Sequence, residues 1–157
     1  RSSANMNSLK SAAESDNLRA VIVEDGSTAI AGADLIFTTV PDSRELRPFL
    51  NAENLKPGTF TSMVDLGRSW IPCSLNNFTR IVIDDMAQEA TVAQPMINPK
   101  WMSGDLQDLI AKRISGRLNE HERTAFVFRG MAVGDLALAM LAYKKALSAG
   151  LGCKLTR

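Results

Sequence analysis

The chain has 157 residues, 45% hydrophobic and 22% charged, a balance that supports a folded domain with its own core and excludes a disordered tail. A net charge of +1 gives no long-range field for nucleic acid or an anionic membrane, and no apolar run is long enough to cross a bilayer. The start, Arg1-Ser2-Ser3-Ala4-Asn5, has neither an initiator Met nor the apolar stretch of a signal peptide, which points to a fragment or a processed chain.

From the N-terminus, Asn5 to Ser15 reads as a polar helix with Met6, Leu9 and Ala13 on one face. Leu18 to Val23, rich in β-branched residues, predicts a short strand, and Ser27 to Ala33 a short helix. Asp34 to Val40 is a nearly unbroken apolar run stopped by Pro41, the pattern of a strand buried on both faces of a parallel sheet. A loop follows, with a helical turn expected at Asn51 to Leu55 and a tight turn at Lys56-Pro57-Gly58. Thr59 to Asp65 and Arg80 to Asp85 are the next strands, with helical segments at Pro72 to Asn77 and Met86 to Ala93. Ser103 to Ile114 predicts a helix with Ser103 at its N-cap and Gly116 closing it, and Thr124 to Arg129 a last strand. In the final helix, Val133, Leu136, Met140, Tyr143 and Leu147 recur at spacings of three and four, a stripe read as core packing, with an oligomer contact as the alternative. Strands alternating with helices predict an α/β layer fold built on a mainly parallel sheet.

No self-contained catalytic motif is present: no GxSxG, HExxH, Walker loop or GxGxxG. Cys73 and Cys153 lack metal-ligand spacing and read as reduced thiols, and His121 sits in a polar loop stretch, so no metal is expected. Ligands of such sheets bind beyond the carboxyl ends of the strands. Those ends carry Thr38, Thr39 and Val40, then Val64 and Asp65, then Asp84 and Asp85. The threonine hydroxyls can bond a ribose or an amide, or be satisfied internally. Asp65 is a candidate general base, or else a cap or a salt-bridge partner of Arg68. Asp84 and Asp85 are adjacent on a strand and face opposite ways, which argues against a shared metal and for capping the helix at Met86.

In this order the segments resemble a known family. Ala33 to Pro41 (ADLIFTTVP), Leu55 to Thr59 (LKPGT), Val82 to Asp85 (VIDD), Gly104 to Leu106 with Gly116-Arg117, and Phe126 to Ala137 (FVFRGMAVGDLA) are together similar to the ornithine cyclodeaminase/mu-crystallin family. The resemblance implies an incomplete Rossmann-type parallel sheet flanked by helices, with a long C-terminal helix. It divides the chain into a truncated dinucleotide-binding domain, 1–131, and a C-terminal helix and tail, 132–157.

The same resemblance implies an NAD(P)-dependent oxidoreductase acting on C–N bonds, of the ketimine reductase, cyclic imine reductase or amino-acid dehydrogenase type. Its alternatives are a cyclodeaminase-type ammonia lyase with recycled NAD and a non-catalytic crystallin-like binding protein. Thr38, Thr39 and Val40 match the cofactor-contacting strand end, Val64 the strand under the nicotinamide, and Arg129-Gly130 the segment beside it. Arg129 stands where the family has a small hydroxyl residue, and either meets a substrate carboxylate or faces solvent. The catalytic aspartate of cyclodeaminases follows the Val64 strand; gapless matching puts Gly67 there and Asp65 at a glycine, so Asp65 serves only if the loop is rearranged. Arg1 matches the residue facing the adenosine ribose, where a basic side chain suits NADP over NAD. Also implied are a small amino-acid or imine substrate, a homodimer at full length, a cytoplasmic setting, and no activity or good solubility from this chain alone, since the glycine-rich loop and substrate-binding basic residues would precede Arg1.

Overall fold

The computed structural model describes residues 3–41, 43, 45–153 and 155. Its elements run α1 (Ser3–Ser15), α2 (Gly26–Ile30), β1 (Leu35–Thr38), β2 (Phe60–Met63), β3 (Arg80–Ile83), α3 (Met86–Glu89), β4 (Met102–Asp105), α4 (Leu106–Ile110), β5 (Thr124–Val127) and α5 (Ala132–Ser148), with single 3-10 turns at Ala52–Asn54, Pro72–Asn77 and Pro99–Trp101. The five strands form one sheet in the order β1-β2-β5-β3-β4, every pair parallel. The parallel α/β sheet expected from the sequence is therefore present, and all its carboxyl ends lie along one edge.

Register sets the core. Ile36, Thr61, Ala125 and Ile81 line up across four strands, followed one step on by Thr38, Met63, Val127 and Ile83. All eight are buried. Leu50, Leu55, Trp70, Leu75, Phe78 and Ile97 pack against this face, with Trp70 and Phe78 meeting edge to face at 5.7 Å. The covering layer thus comes from the loops and 3-10 turns between strands, tied down by Ser74, whose hydroxyl accepts from the Ala52 amide and donates to the Ile71 carbonyl.

Four expectations change. Leu18–Val23 forms no strand, because no described strand lies beside it to complete a ladder, and the Leu18 amide donates back to the Ala13 carbonyl of α1 instead. β1 is buried on one face only; Leu35 and Phe37 on the other are about two-thirds exposed, since β1 is the sheet margin. Ser103 lies within β4, a strand the sequence reading missed, and its hydroxyl accepts from the Ile81 amide. The helix starts later, capped by Asp105, whose carboxylate accepts from Asp108 and also from the Met86 amide at the start of α3. Finally, α5 buries no residue: its apolar stripe is real, but no described element packs against it. Periodicity reports that a face is apolar and is silent about what covers it.

The Lys56-Pro57-Gly58 turn is where backbone freedom is required. Gly58 has φ +83°, its amide donates to the His121 carbonyl, and a Cβ there would collide with the Glu120 carbonyl oxygen. Gly58→Ala in the natural protein is expected to lose about 2–4 kcal/mol of stability, from positive-φ strain plus the steric clash. Urea unfolding measures this, and a loss under 0.5 kcal/mol (a value typical of neutral surface changes) would contradict it.

Candidate functional site

The site is the row of strand carboxyl ends, and three buried acids organise it. Asp65 lies two residues past the end of β2, and the chain after it turns through two left-handed residues, Leu66 (φ 60°) and Gly67 (φ 72°). Its carboxylate is 5% exposed, with one oxygen accepting from Thr38 Oγ1 at 2.9 Å and the other from Ser69 Oγ at 2.6 Å. The Thr38 hydroxyl is therefore spent as a donor within the protein. Thr39 beside it is exposed, as is Val64.

Asp84, at the end of β3, is 1% exposed. One of its oxygens accepts from the Asp85 amide; the other accepts from the amides of Arg129 and Gly130, each at 2.8 Å. Asp85 turns the other way and caps α3 through the Gln88 amide. The opposed directions expected for neighbouring strand residues hold. The capping role expected of the pair falls to Asp85 alone, because the Asp84 side chain reaches the turn after β5.

Glu89, in α3, is the third. Arg129 Nε donates to it at 2.8 Å and Arg129 Nη2 at 3.2 Å, while the Met96 amide also donates to it. Arg129 Nη2 further reaches the Gln94 carbonyl. The guanidinium thus runs back to Glu89 instead of out to solvent. Burial pushes the Glu89 carboxyl up, but the Arg129 and Met96 hydrogen bonds outweigh it and hold it below the ordinary glutamate value of 4.5. Sequence reasoning missed Ser69 and Glu89 entirely; forty residues separate Glu89 from Arg129 and no spacing rule connects them.

A cleft of about 680 Å³ opens beside the free edge of β1, bordered by Val23, Gly26, Phe37, Thr38, Thr39 and Val40. The structure brings Thr38, Thr39 and Val40 together with Asp65 on this side of the row, and Arg129 and Gly130 with Asp84 on the other. Arg1 lies outside the described residues. Among the described residues, no three His, Cys, Asp or Glu side chains form a metal-holding group, and Cys73 and Cys153 are free and exposed. No helix of the described residues is long and apolar enough to cross a membrane.

Removing one half of the Glu89–Arg129 pair has a calculable consequence. Arg129→Ala leaves a buried carboxylate without its cation and is expected to cost about 3–5 kcal/mol. Because the folded Glu89 carboxyl titrates below the unfolded one, its contribution is present above the ordinary glutamate value and is lost as pH falls through the depressed folded value. Glu89→Gln should therefore flatten the acid limb of a stability-against-pH curve; an unchanged limb would contradict the pairing.

Comparison with known proteins identifies the family and the fold. Residues 1–150 match the family described as ornithine cyclodeaminase/mu-crystallin. An alanine dehydrogenase of Archaeoglobus fulgidus is 26% identical over 132 residues, covering 78% of this chain and 40% of that protein. The solved archaeal alanine dehydrogenase dimer with bound NAD has a TM-score of 0.78 at 25% identity, over 96% of this chain and 48% of that one. The iminosuccinate reductase of Paracoccus denitrificans, solved with NAD+, shares the fold with a TM-score of 0.73 at 23% identity, over 96% of this chain and 48% of that one. The chain thus spans less than half the length of the curated alanine dehydrogenase it matches. On a match that runs through all five strands and into the last helix, the chain belongs to the ornithine cyclodeaminase/mu-crystallin family.

Proposed function

We propose that this chain forms the nicotinamide-side part of the nucleotide-binding domain of an NAD(P)-dependent oxidoreductase acting on C–N bonds, of the imine reductase or amino-acid dehydrogenase type. The observation that carries the reading is the carboxyl-end row: an open cleft at β1, exposed Thr39 and Val64 at its centre, and a rigidly held Arg129-Gly130 turn beside them. Strands lie about 4.8 Å apart, so the span from β1 to β5 is about 10 Å, the scale of one mononucleotide half of a dinucleotide. The residues fit such a group. The cleft is of small-ligand size, and Gly130 leaves open space where any side chain would stand. A nicotinamide cofactor, when bound, supplies the hydride chemistry. In this arrangement Thr38, Thr39 and Val40 line the nucleotide side, Val64 lies under the ring, and Arg129-Gly130 borders it. Residues 1–131 then act as the nucleotide-binding unit, and α5 with the tail, 132–157, as a separate element. The names of the relatives support a small amino-acid or imine substrate and a homodimer for the whole protein.

The cyclodeaminase alternative needs a base that touches substrate. Asp65 is the candidate catalytic residue for it, but at 5% exposure, with both oxygens accepting hydrogen bonds from hydroxyls, it is placed to hold Thr38 and Ser69 instead. That favours the reductase reading, which draws no proton transfer from Asp65. Asp65→Asn in the natural protein is expected to lower reductase kcat by less than about tenfold, whereas loss of a working base costs about 10²–10⁴-fold. Steady-state kinetics with cyclic imines and 2-oxo acids plus amine separate the two, and ammonia release from ornithine without net coenzyme consumption would favour the lyase.

Arg1 carries the finer choice of coenzyme. A basic residue beside the ribose suits a 2′-phosphate, so NADPH is expected to bind the natural protein more tightly than NADH. Titration with both coenzymes checks this; tighter NADH binding would reverse the preference.

A further inference from the structure

Between α3 and β4 the chain crosses the carboxyl edge of the sheet as a strap, Thr91 to Asn98. Its near end is tied to α3, where the Thr91 amide and hydroxyl both donate to the Gln88 carbonyl. Its far end is set by Asn98, which caps the 3-10 turn Pro99–Trp101 through the Lys100 amide. Between these ends Pro95 has no amide to donate, and the amides of Ala93, Gln94 and Ile97 find no protein partner among the described residues. The polar ties of the middle of the strap both belong to one ion pair. The Met96 amide donates to Glu89, and the Gln94 carbonyl accepts from Arg129 Nη2, the nitrogen that also bonds Glu89. Arg129 is itself fixed to the sheet by its amide on Asp84. The apolar seat is equally small. Ile97 is buried in the core cluster, with Met96 partly buried beside it. A Cβ at Gly67 would stand 3.4 Å from Ile97 Cγ2, 3.6 Å from Met63 Sδ and 3.8 Å from Val127 Cγ1. Ile97 therefore plugs the corner where the ends of β2 and β5 meet the turn after β2, while Thr91, Ala93, Gln94, Pro95 and Asn98 are exposed.

We propose that Thr91–Asn98 is a gate at the ends of β2 and β5, latched shut by the Glu89–Arg129 pair. A segment with few buried side chains and unpaired amides sits at the low-stability end of a fold, and it opens without the strands beneath it opening. Here one ion pair holds both Gln94 and Met96, so its loss frees the middle of the strap at once and leaves the Ile97 seat alone. Swinging about its fixed ends, the strap lifts Ile97 off Met63 and Val127 and widens the row beside exposed Val64 and the open space at Gly130. What the gate admits rests on the nucleotide-binding reading above; that the strap opens does not. A gate has its own kinetic signature. When a ligand enters and leaves only through the open form, a larger open fraction raises association and dissociation rates together and leaves their ratio nearly unchanged. Loss of a ligand contact instead acts mainly on dissociation, and affinity falls with it.

The test uses the natural full-length protein with Glu89→Gln and with Arg129→Lys, which keeps the charge without the bidentate fork. Amide hydrogen exchange reads the strap, and stopped-flow binding of the preferred coenzyme reads the gate. In Glu89→Gln, exchange across 91–98 is expected to quicken about tenfold or more, with β3 and β5 changed less than about twofold. Both coenzyme rate constants should rise about threefold or more, with their ratio held within about twofold. Arg129→Lys should move the strap exchange in the same direction by a smaller factor. If neither variant folds, the wild type still decides: exchange of the Met96 amide should be insensitive to low urea, the mark of local opening, while β3 and β5 amides respond to it. Met96 exchange that tracks global unfolding, or unchanged strap exchange in the variants, overturns the latch. Faster strap exchange with unchanged rate constants, or with dissociation alone raised, overturns the gate and leaves the nucleotide reading intact. No coenzyme binding to the wild type overturns the nucleotide reading, and with it the gate, while the exchange measurements still decide the latch.

Discussion

The arrangement at the carboxyl edge of the sheet depends on one interaction: the buried Asp84 carboxylate accepting the amides of Arg129 and Gly130. A carboxylate in the interior is costly unless hydrogen bonds replace its water. Here three backbone amides do so, counting that of Asp85. In return the chain leaving β5 is fixed against β3, which is its lateral neighbour but lies 45 residues away in sequence. Cut that contact and the turn before α5 has no other backbone tie to the sheet beyond the Phe128 amide.

The other two acids extend the same logic. Glu89 holds the Arg129 side chain while Asp84 holds its main chain, so a single residue is gripped from the β3–α3 corner by two carboxylates. Asp65 joins β1 to the loop after β2 through two hydroxyls. Charge-assisted hydrogen bonds of this kind are stronger than neutral ones, and their geometry is narrow. The result is a strand-end row whose positions are set by polar contacts, above a sheet whose stability comes from apolar packing of Trp70, Met63, Ile81, Ile83 and Val127. The division suits a binding site: the core needs only the right volume, whereas the rim needs directions.

Elsewhere the apolar surface is incompletely covered. Leu35 and Phe37 on β1, and Val133, Leu136, Met140, Tyr143 and Leu147 on α5, are all well exposed. Among the described residues these faces stay largely uncovered.

What the sequence determined by itself was the position of four of the five strands and the parallel α/β class, because runs such as Asp34–Val40 and Arg80–Asp85 carry strong local signals, and five matched segments in order identified the family. It also located the edge where ligands would bind, since parallel strands place all their carboxyl ends together. It misplaced the cap at Ser103, overlooked β4, and read a strand at Leu18–Val23, because each depends on a neighbour that local pattern does not contain. Only the tertiary structure decided what each acid does. Asp65 changed from candidate base to buried acceptor, Arg129 from free cation to the partner of Glu89, and Asp84 from helix cap to backbone clamp. The physical reason is common to all three. A charge buried among strand ends takes its role from whichever donors the sheet order brings beside it, and that order sets β5 between β2 and β3, a placement no stretch of the chain encodes locally.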